Sequence, residues 1–256
     1  MRFPARRIGP ITIDVEHETD AVPIVGFRSA MLTGRQQCSV RASKQHPIRI
    51  HRLREKGIGT WMTDSPEELQ QVEDFLYRAK PQRGQRMCVG GLGLGIVATR
   101  LTQLGAIVTA VERRRAIIHA VAGWTTAARR RQPYRVICSD IAKYLRRCEP
   151  FDAYYLDTWQ GTSENTWWSN VLPLRRLIGQ RFGVVPIYCW AEDMMLGQVV
   201  ASIRRTFDHE AATGTPRHWH MAHLPADTDV LRFVGPAMGT PAWEAQYGTA
   251  VDRMTL

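Results

Sequence analysis

The chain has 256 residues, 44% of them hydrophobic, enough for one sizeable core with a small appendage. Lys and Arg outnumber Asp and Glu by 34 to 24, a formal net charge of +10 that opens contact with a polyanion such as nucleic acid or with an acidic substrate. Cys38, Cys88, Cys138, Cys148 and Cys189 include no C-x-x-C pair and read as reduced core thiols; Gly9 and Pro10 interrupt the apolar stretch a secretory leader needs; no segment is long and apolar enough to span a bilayer, so the expectation is a soluble, cytoplasmic protein without a membrane partner.

In chain order, the first elements are short β-like runs, "ITIDVE", "VPIVGF", "CSVRAS" and "IRIHRL", separated by Asp-, Gly- and Pro-containing turns. They predict a small β-rich N-terminal subdomain over residues 1–60, a substrate or oligomerisation element that would make the protein a homo-oligomer. In "TDSPEELQQVEDFLYRA", Ser65 caps a helix, Pro66 takes its first position and Glu68 completes a capping box, with Leu69, Val72, Phe75 and Leu76 on one face.

From Met87 the pattern alternates: "RMCVGG" then "IVATRLTQL", "AIVTAVE" then "AIIHAVAGW", "YRVICSD" then "IAKYLRR", "FDAYYLD" then "WWSNVLPLRRLI", "FGVVPIYCW" then "MMLGQVVASIRRTF". Strand–helix alternation of this kind predicts an α/β domain over residues 61–256, a doubly wound, mostly parallel sheet with ligand sites at the carboxyl ends of its strands. Two weaker strands are expected near "HWHMAH" and "VLRFVG".

The run "MCVGGLGLGIVATRL" places Gly90, Gly91, Gly93 and Gly95 where a strand turns into a helix and a ligand can approach the backbone. It fits G-x-G-x-G from Gly91, a pattern of S-adenosylmethionine enzymes, and Gly93, Gly95 and Ala98 also satisfy the dinucleotide pattern G-x-G-x-x-A. Glu112 ends the next strand about twenty residues on, where a carboxylate takes both ribose hydroxyls. The following two strands end in Asp140 and Asp157. Three carboxylates on one crevice repel a pyrophosphate and suit a ribose diol, an adenine amino group, an ammonium and a sulfonium, which favours S-adenosylmethionine or its decarboxylated relative over a nicotinamide cofactor.

Together "VGGLGLG", "VE", "SDIAKYL" and "FDAYYLD" resemble the class I S-adenosylmethionine-dependent methyltransferases, within them the branch that includes the spermidine synthases, over residues 87–190. Upstream, "WMTDSPEE" looks like methyltransferase-like proteins of phages and bacteria. The resemblance implies a Rossmann-like methyltransferase sheet, with Gly91, Gly93 and Gly95 wrapping the methionine part of the cofactor, Glu112 on the ribose, Asp140 with Ile141 bordering the adenine, and Asp157 facing the reacting centre. Two departures stand out. Val89 replaces the acidic residue many methyltransferases carry two places before Gly91, and Gln160 stands where spermidine synthases carry the second Asp of an amine-holding D-x-x-D.

Asp157 is the candidate catalytic residue, to accept a nucleophile's proton or to hold the cofactor's ammonium. Trp159, Gln160, Glu164 and Trp167 are substrate candidates, the last two in "TSENTWWSN", read as a polar, aromatic loop or lid; Asp64 in "TWMTDSPEE" is a further one. No metal is expected: His218 and His220 share a strand face but no third ligand is secured. The basic clusters Arg113–Arg115 and Arg129–Arg131, with "RIHRLREK", read as a solvated face that could also contact phosphates. The expected activity is S-adenosylmethionine-dependent methyl transfer to an unidentified acceptor, preferably a small molecule; an aminopropyltransferase and a non-catalytic cofactor-binding protein are the alternatives.

Overall fold

A computed structural model describes residues 5–25, 36–128, 134–192, 194–195 and 198–199. The chain divides into two units, 1–192 and 193–256. In the second, Met195 and Val199 are fully buried; the strands expected near "HWHMAH" and "VLRFVG" and most of the last expected helix lie outside the described residues.

The first unit begins with antiparallel strands β1 (Arg6–Ile8), β2 (Ile11–Glu18), β5 (Ile48–Glu55) and β6 (Gly59–Thr63), hydrogen-bonded in the order β1-β2-β5-β6. Strands β3 (Val22–Val25) and β4 (Cys38–Val40) form a separate pair. Period-two alternation sets the two faces of the larger sheet. Ile11, Ile13 and Leu53 enter the core, while Arg52 and Arg54 on the other side pair with Glu16, Glu18 and Asp14 across the β2–β5 ladder. Strands β1 and β6 were not expected from the sequence: β1 is short and mostly exposed, and the run "GTWMT" is cut by the helix signal that follows it.

Helix α1 (Pro66–Ala79) starts as expected, with the Ser65 hydroxyl accepting from the Glu68 amide at 3.3 Å. The reciprocal half of the box differs: the Glu68 carboxylate accepts from the Thr63 amide and hydroxyl, both at 3.0 Å. Val72, Phe75 and Leu76 are buried, whereas Leu69 is 40% exposed.

Five parallel strands follow: β7 (Arg86–Gly90), β8 (Ile107–Glu112), β9 (Arg135–Cys138), β10 (Ala153–Leu156) and β11 (Ile187–Cys189), in the order β11-β10-β7-β8-β9. Between them run α2 (Ile96–Gln103), α3 (Arg115–Ala128), α4 (Ile141–Leu145), the short α5 (Glu164–Thr166), a π-helical turn over Trp167–Val171, and α6 (Leu172–Phe182). Both faces are covered, which is why the central strands read as continuous apolar runs. On one face Met87, Val89, Val108, Ala110, Ala153 and Tyr155 share a core with α1, α2, α3 and the antiparallel sheet. On the other, Gly90 lies against Ile141, and Tyr154 stacks on Phe182 with ring centroids 5.8 Å apart.

Two expectations are corrected here. The helix expected over "WWSNVLPLRRLI" is present and starts earlier, at Glu164, so "TSENTWWSN" is not a loop: the Ser163 hydroxyl caps the Thr166 amide, and Trp167 and Val171 are fully buried. Of the cysteines, Cys88 and Cys189 are core thiols, but Cys38 and Cys138 are exposed.

Candidate functional site

The order of the five strands places its reversal point between β7, the first of them in sequence, and β10, the fourth, with crossovers leaving to opposite sides. Loops that diverge from adjacent parallel strands leave a crevice at the carboxyl ends. There the structure has a cavity of about 260 Å³.

The glycine loop forms its floor. Gly91 has φ +87° and donates its amide to Val111 O at 2.8 Å. A Cβ at this position would lie 1.8 Å from the Asp157 carbonyl oxygen, so only glycine lets the loop after β7 pass the end of β10. Gly93 meets Met62 of β6 in the same way, its Cβ position 2.3 Å from Sδ, and the Leu94 amide donates to that sulfur at 3.2 Å.

The carboxylates come next. Glu112 is buried and accepts from two backbone amides, Leu92 at 3.1 Å and Arg114 at 2.8 Å. A carboxylate offers about four acceptor positions, so about two remain for a diol. Asp140 caps α4 by accepting from the Lys143 amide at 3.0 Å. Asp157 lies just beyond β10. Burial, and then the nearby Glu68 and Glu112 carboxylates, together push its carboxyl from the ordinary 3.8 up to about 8. Burial likewise pushes Glu68 up to about 7, against the lowering effect of its hydrogen bonds from Thr63.

Strands β5 and β6 supply a third wall through Leu53, Trp61 and Met62. The Trp61 indole N–H donates to Glu55 Oε2 at 2.7 Å, and the guanidiniums of Arg114 and Arg113 lie 4.9 and 5.9 Å from its ring centroid. Arg114 is ion-paired with Glu55. This wall was missed from the sequence, although "GTWMT", an aromatic and β-branched run between glycine and "DSP", carries a strand signal. Glu68 was read only as a cap.

Gly91, Gly93, Glu112, Asp140, Ile141, Asp157 and Trp159 are therefore brought to one cavity. Five other sequence candidates lie off it. Gly95 caps α2, where a Cβ would meet the Tyr134 hydroxyl at 2.6 Å. The Asp64 carboxylate accepts from the His51 amide at 2.6 Å and sits 2.6 Å from its Nδ1. Gln160 donates to Thr60 O at 3.4 Å, Glu164 accepts from the Trp168 indole at 3.4 Å, and Trp167 is fully buried. The π-helical turn instead turns Ser169 and Asn170 to the cavity. Arg113 and Arg114 line it, Arg129–Arg131, His218 and His220 lie outside the described residues, and among the described residues no group of three His, Cys, Asp or Glu is placed to hold a metal. No described helix is long and apolar enough to cross a membrane.

No protein-family model matches the sequence, and no curated protein matches it. Solved structures do show similarity. A coclaurine N-methyltransferase bound to N-methylheliamine and SAH is 20% identical over 35% of this chain and 26% of its own, with a TM-score of 0.29. The C-terminal domain of precorrin-6Y C5,15-methyltransferase from Rhodobacter capsulatus is 15% identical over 44% of this chain and 70% of its own, with a TM-score of 0.29. A dimethyladenosine transferase from Plasmodium falciparum is 18% identical over 43% of this chain and 37% of its own, with a TM-score of 0.35. The chain thus spans about a quarter of the first of these proteins and over a third of the last. The strand order itself makes the domain Rossmann-like.

Proposed function

We propose that the chain is an S-adenosylmethionine-dependent methyltransferase acting on an unidentified small-molecule acceptor. The observation that carries this reading is the meeting of Gly91, Glu112 and Asp157 around one cavity at the point where the strand order reverses. A ribose-binding carboxylate alone would also suit a dinucleotide. The cavity, however, adds Asp140 and Asp157, and of its two guanidiniums Arg114 is paired with Glu55 while Arg113 lies 5.9 Å from the Trp61 ring centroid. A pyrophosphate gains little there, whereas an ammonium and a sulfonium gain a carboxylate partner.

The residues fit this cofactor: Glu112 has acceptor positions left for the ribose diol, Gly91 and Gly93 line the cavity where the methionine part would lie, and Asp140 with Ile141 would border the adenine. When bound, S-adenosylmethionine supplies an electrophilic methyl group on a cationic sulfur. The protein's task is alignment and exclusion of water. Trp159, buried beside Asp157, is an apolar wall for that purpose. Asp157 is held in the range where a carboxylate can take a proton from a neutral amine or hydroxyl near neutral pH. The aminopropyltransferase reading finds no support at Gln160, which is bonded to Thr60 away from the cavity.

Competition binding with labelled S-adenosylmethionine tests the reading. S-adenosylmethionine and S-adenosylhomocysteine should displace the label and NAD should not; tighter binding of NAD contradicts the assignment. Binding without methyl transfer to any of a panel of amines and hydroxyl compounds would favour the non-catalytic alternative.

A further inference from the structure

A second concavity lies at the opposite end of the parallel sheet, against the amino ends of β7, β8 and β9 and the end of α4, with a volume of about 910 Å³. Three arginines line it, Arg86, Arg135 and Arg147, against a single lining acid among the described residues, Glu149. None of the three forms an ion pair with a described carboxylate. That differs from the outer face of the antiparallel sheet, where Arg52 and Arg54 are neutralised by three acids. The Arg86 guanidinium lies over the Phe151 ring, 5.4 Å from its centroid, and half-buried Tyr144 lies on the same lining with its ring centroid 6.5 Å from that of Phe151. Both Arg86 and Arg135 act electrostatically on the Tyr144 hydroxyl, so the three side chains share one neighbourhood.

The register gives the arrangement its length. Arg86 pairs with Ile107 and Arg135 with Thr109, on opposite sides of β8, which puts their backbones two strand spacings, about 10 Å, apart across the sheet. Arg147 adds a third charge beyond the end of α4. Backbones spread across the sheet in this way offer anchor points for more than one phosphate.

We propose that this groove binds a single-stranded nucleic acid, with Arg86, Arg135 and Arg147 along the phosphates and Tyr144 as a stacking face for a base. Unpaired guanidiniums retain their attraction for an anion, and an aromatic face beside a basic track is sequence-tolerant because every base has a π-face. A duplex fits less well, since the aromatic face has no unstacked base to receive. The groove is separate from the cavity at the carboxyl ends and stands whether or not that cavity takes S-adenosylmethionine.

The test is fluorescence anisotropy of a labelled oligouridine of about 20 nucleotides against the full chain over a salt series. Variants are the triple Arg86→Gln/Arg135→Gln/Arg147→Gln and the matching triple to Lys, each checked for unchanged thermal unfolding. Wild type should bind with a steep salt dependence. The Gln triple should lower the log–log slope by about 2, at roughly 0.7 per lost phosphate contact on a single strand, and the Lys triple should keep most of it. Tyr144→Ala should weaken binding at every salt concentration without changing the slope. The proposal is overturned if wild type does not bind the oligonucleotide, if the folded Gln triple binds like wild type, if the Lys triple loses as much as the Gln triple, or if polyglutamate, inorganic phosphate or a duplex competes as well as the single strand.

Discussion

Glu112, buried, and Asp157, partly buried, are carboxylates on one cavity, yet their surroundings assign them different tasks. Glu112 is fixed by two backbone amides and so presents its remaining lone pairs in a set direction. Glu112→Gln keeps the shape and loses half of the acceptors. A hydrogen bond to a charged group contributes roughly 1.5–3 kcal/mol, so affinity for S-adenosylmethionine should fall about tenfold to a hundredfold, measured by calorimetry, and the melting temperature should fall too, because the new NH2 faces one of the two backbone amides that Glu112 accepts. Asp157 is held up to about 8 chiefly by burial, then by Glu68 and Glu112. Removing its charge should act in opposite directions on folding and on binding. Asp157→Asn should raise the melting temperature of the ligand-free protein at pH ~8, because no carboxylate is left to desolvate, and should weaken S-adenosylmethionine binding. If the same variant loses rate far more than affinity, Asp157 serves the nucleophile; if both fall together, it holds the cofactor's ammonium.

Elements, more than residues, show where sequence reading stopped. The glycine loop was legible because a strand followed by closely spaced glycines has few other uses, and Gly91 confirms the physical reason by its contact with Asp157 O. Gly91→Ala should therefore abolish folding or cost several kcal/mol, being both overpacked and left-handed. Gly161→Ala, also at positive φ (+77°) but with nothing within 4 Å, should cost only about 1–2 kcal/mol in chemical denaturation. Strand β6 was not legible, because its five residues run straight into a strong helix start at Ser65, and what holds them is long-range: Trp61 to Glu55 and Arg114, Met62 to Leu94. The stretch at Trp167–Val171 reads two ways in sequence, as the start of the helix "WWSNVLPLRRLI" and as the end of a polar loop "TSENTWWSN". The helical reading holds, because Trp167 and Val171 are buried while Ser169 and Asn170 face the cavity.

Across the whole molecule, the doubly wound sheet was readable from Met87 onward because mostly apolar strand-length runs alternate with apolar runs of helical spacing. How the antiparallel sheet joins the same core was not, since Ile11, Ile13 and Leu53 carry no local mark of their partners. The partly buried acids leave a global signature. Asp157 and Glu68 have folded values raised above their ordinary 3.8 and 4.5, to about 8 and about 7. The folded state then binds more protons than the unfolded state between those limits. Stability from these groups is fully present below pH ~4 and is lost as pH rises toward ~8. The ligand-free melting temperature should decline across that window in wild type, and less steeply in Asp157→Asn or Glu68→Gln.

A cationic ligand beside Asp157 reverses that balance by favouring the carboxylate. Calorimetric titration of S-adenosylmethionine at pH ~7, repeated in buffers of different ionisation enthalpy, reads the effect directly as protons exchanged per ligand bound. Binding with release of a proton, diminished in Asp157→Asn, is the expected result. Absence of binding, or binding with no proton released by the wild-type protein, would contradict an S-adenosylmethionine site at the end of β10.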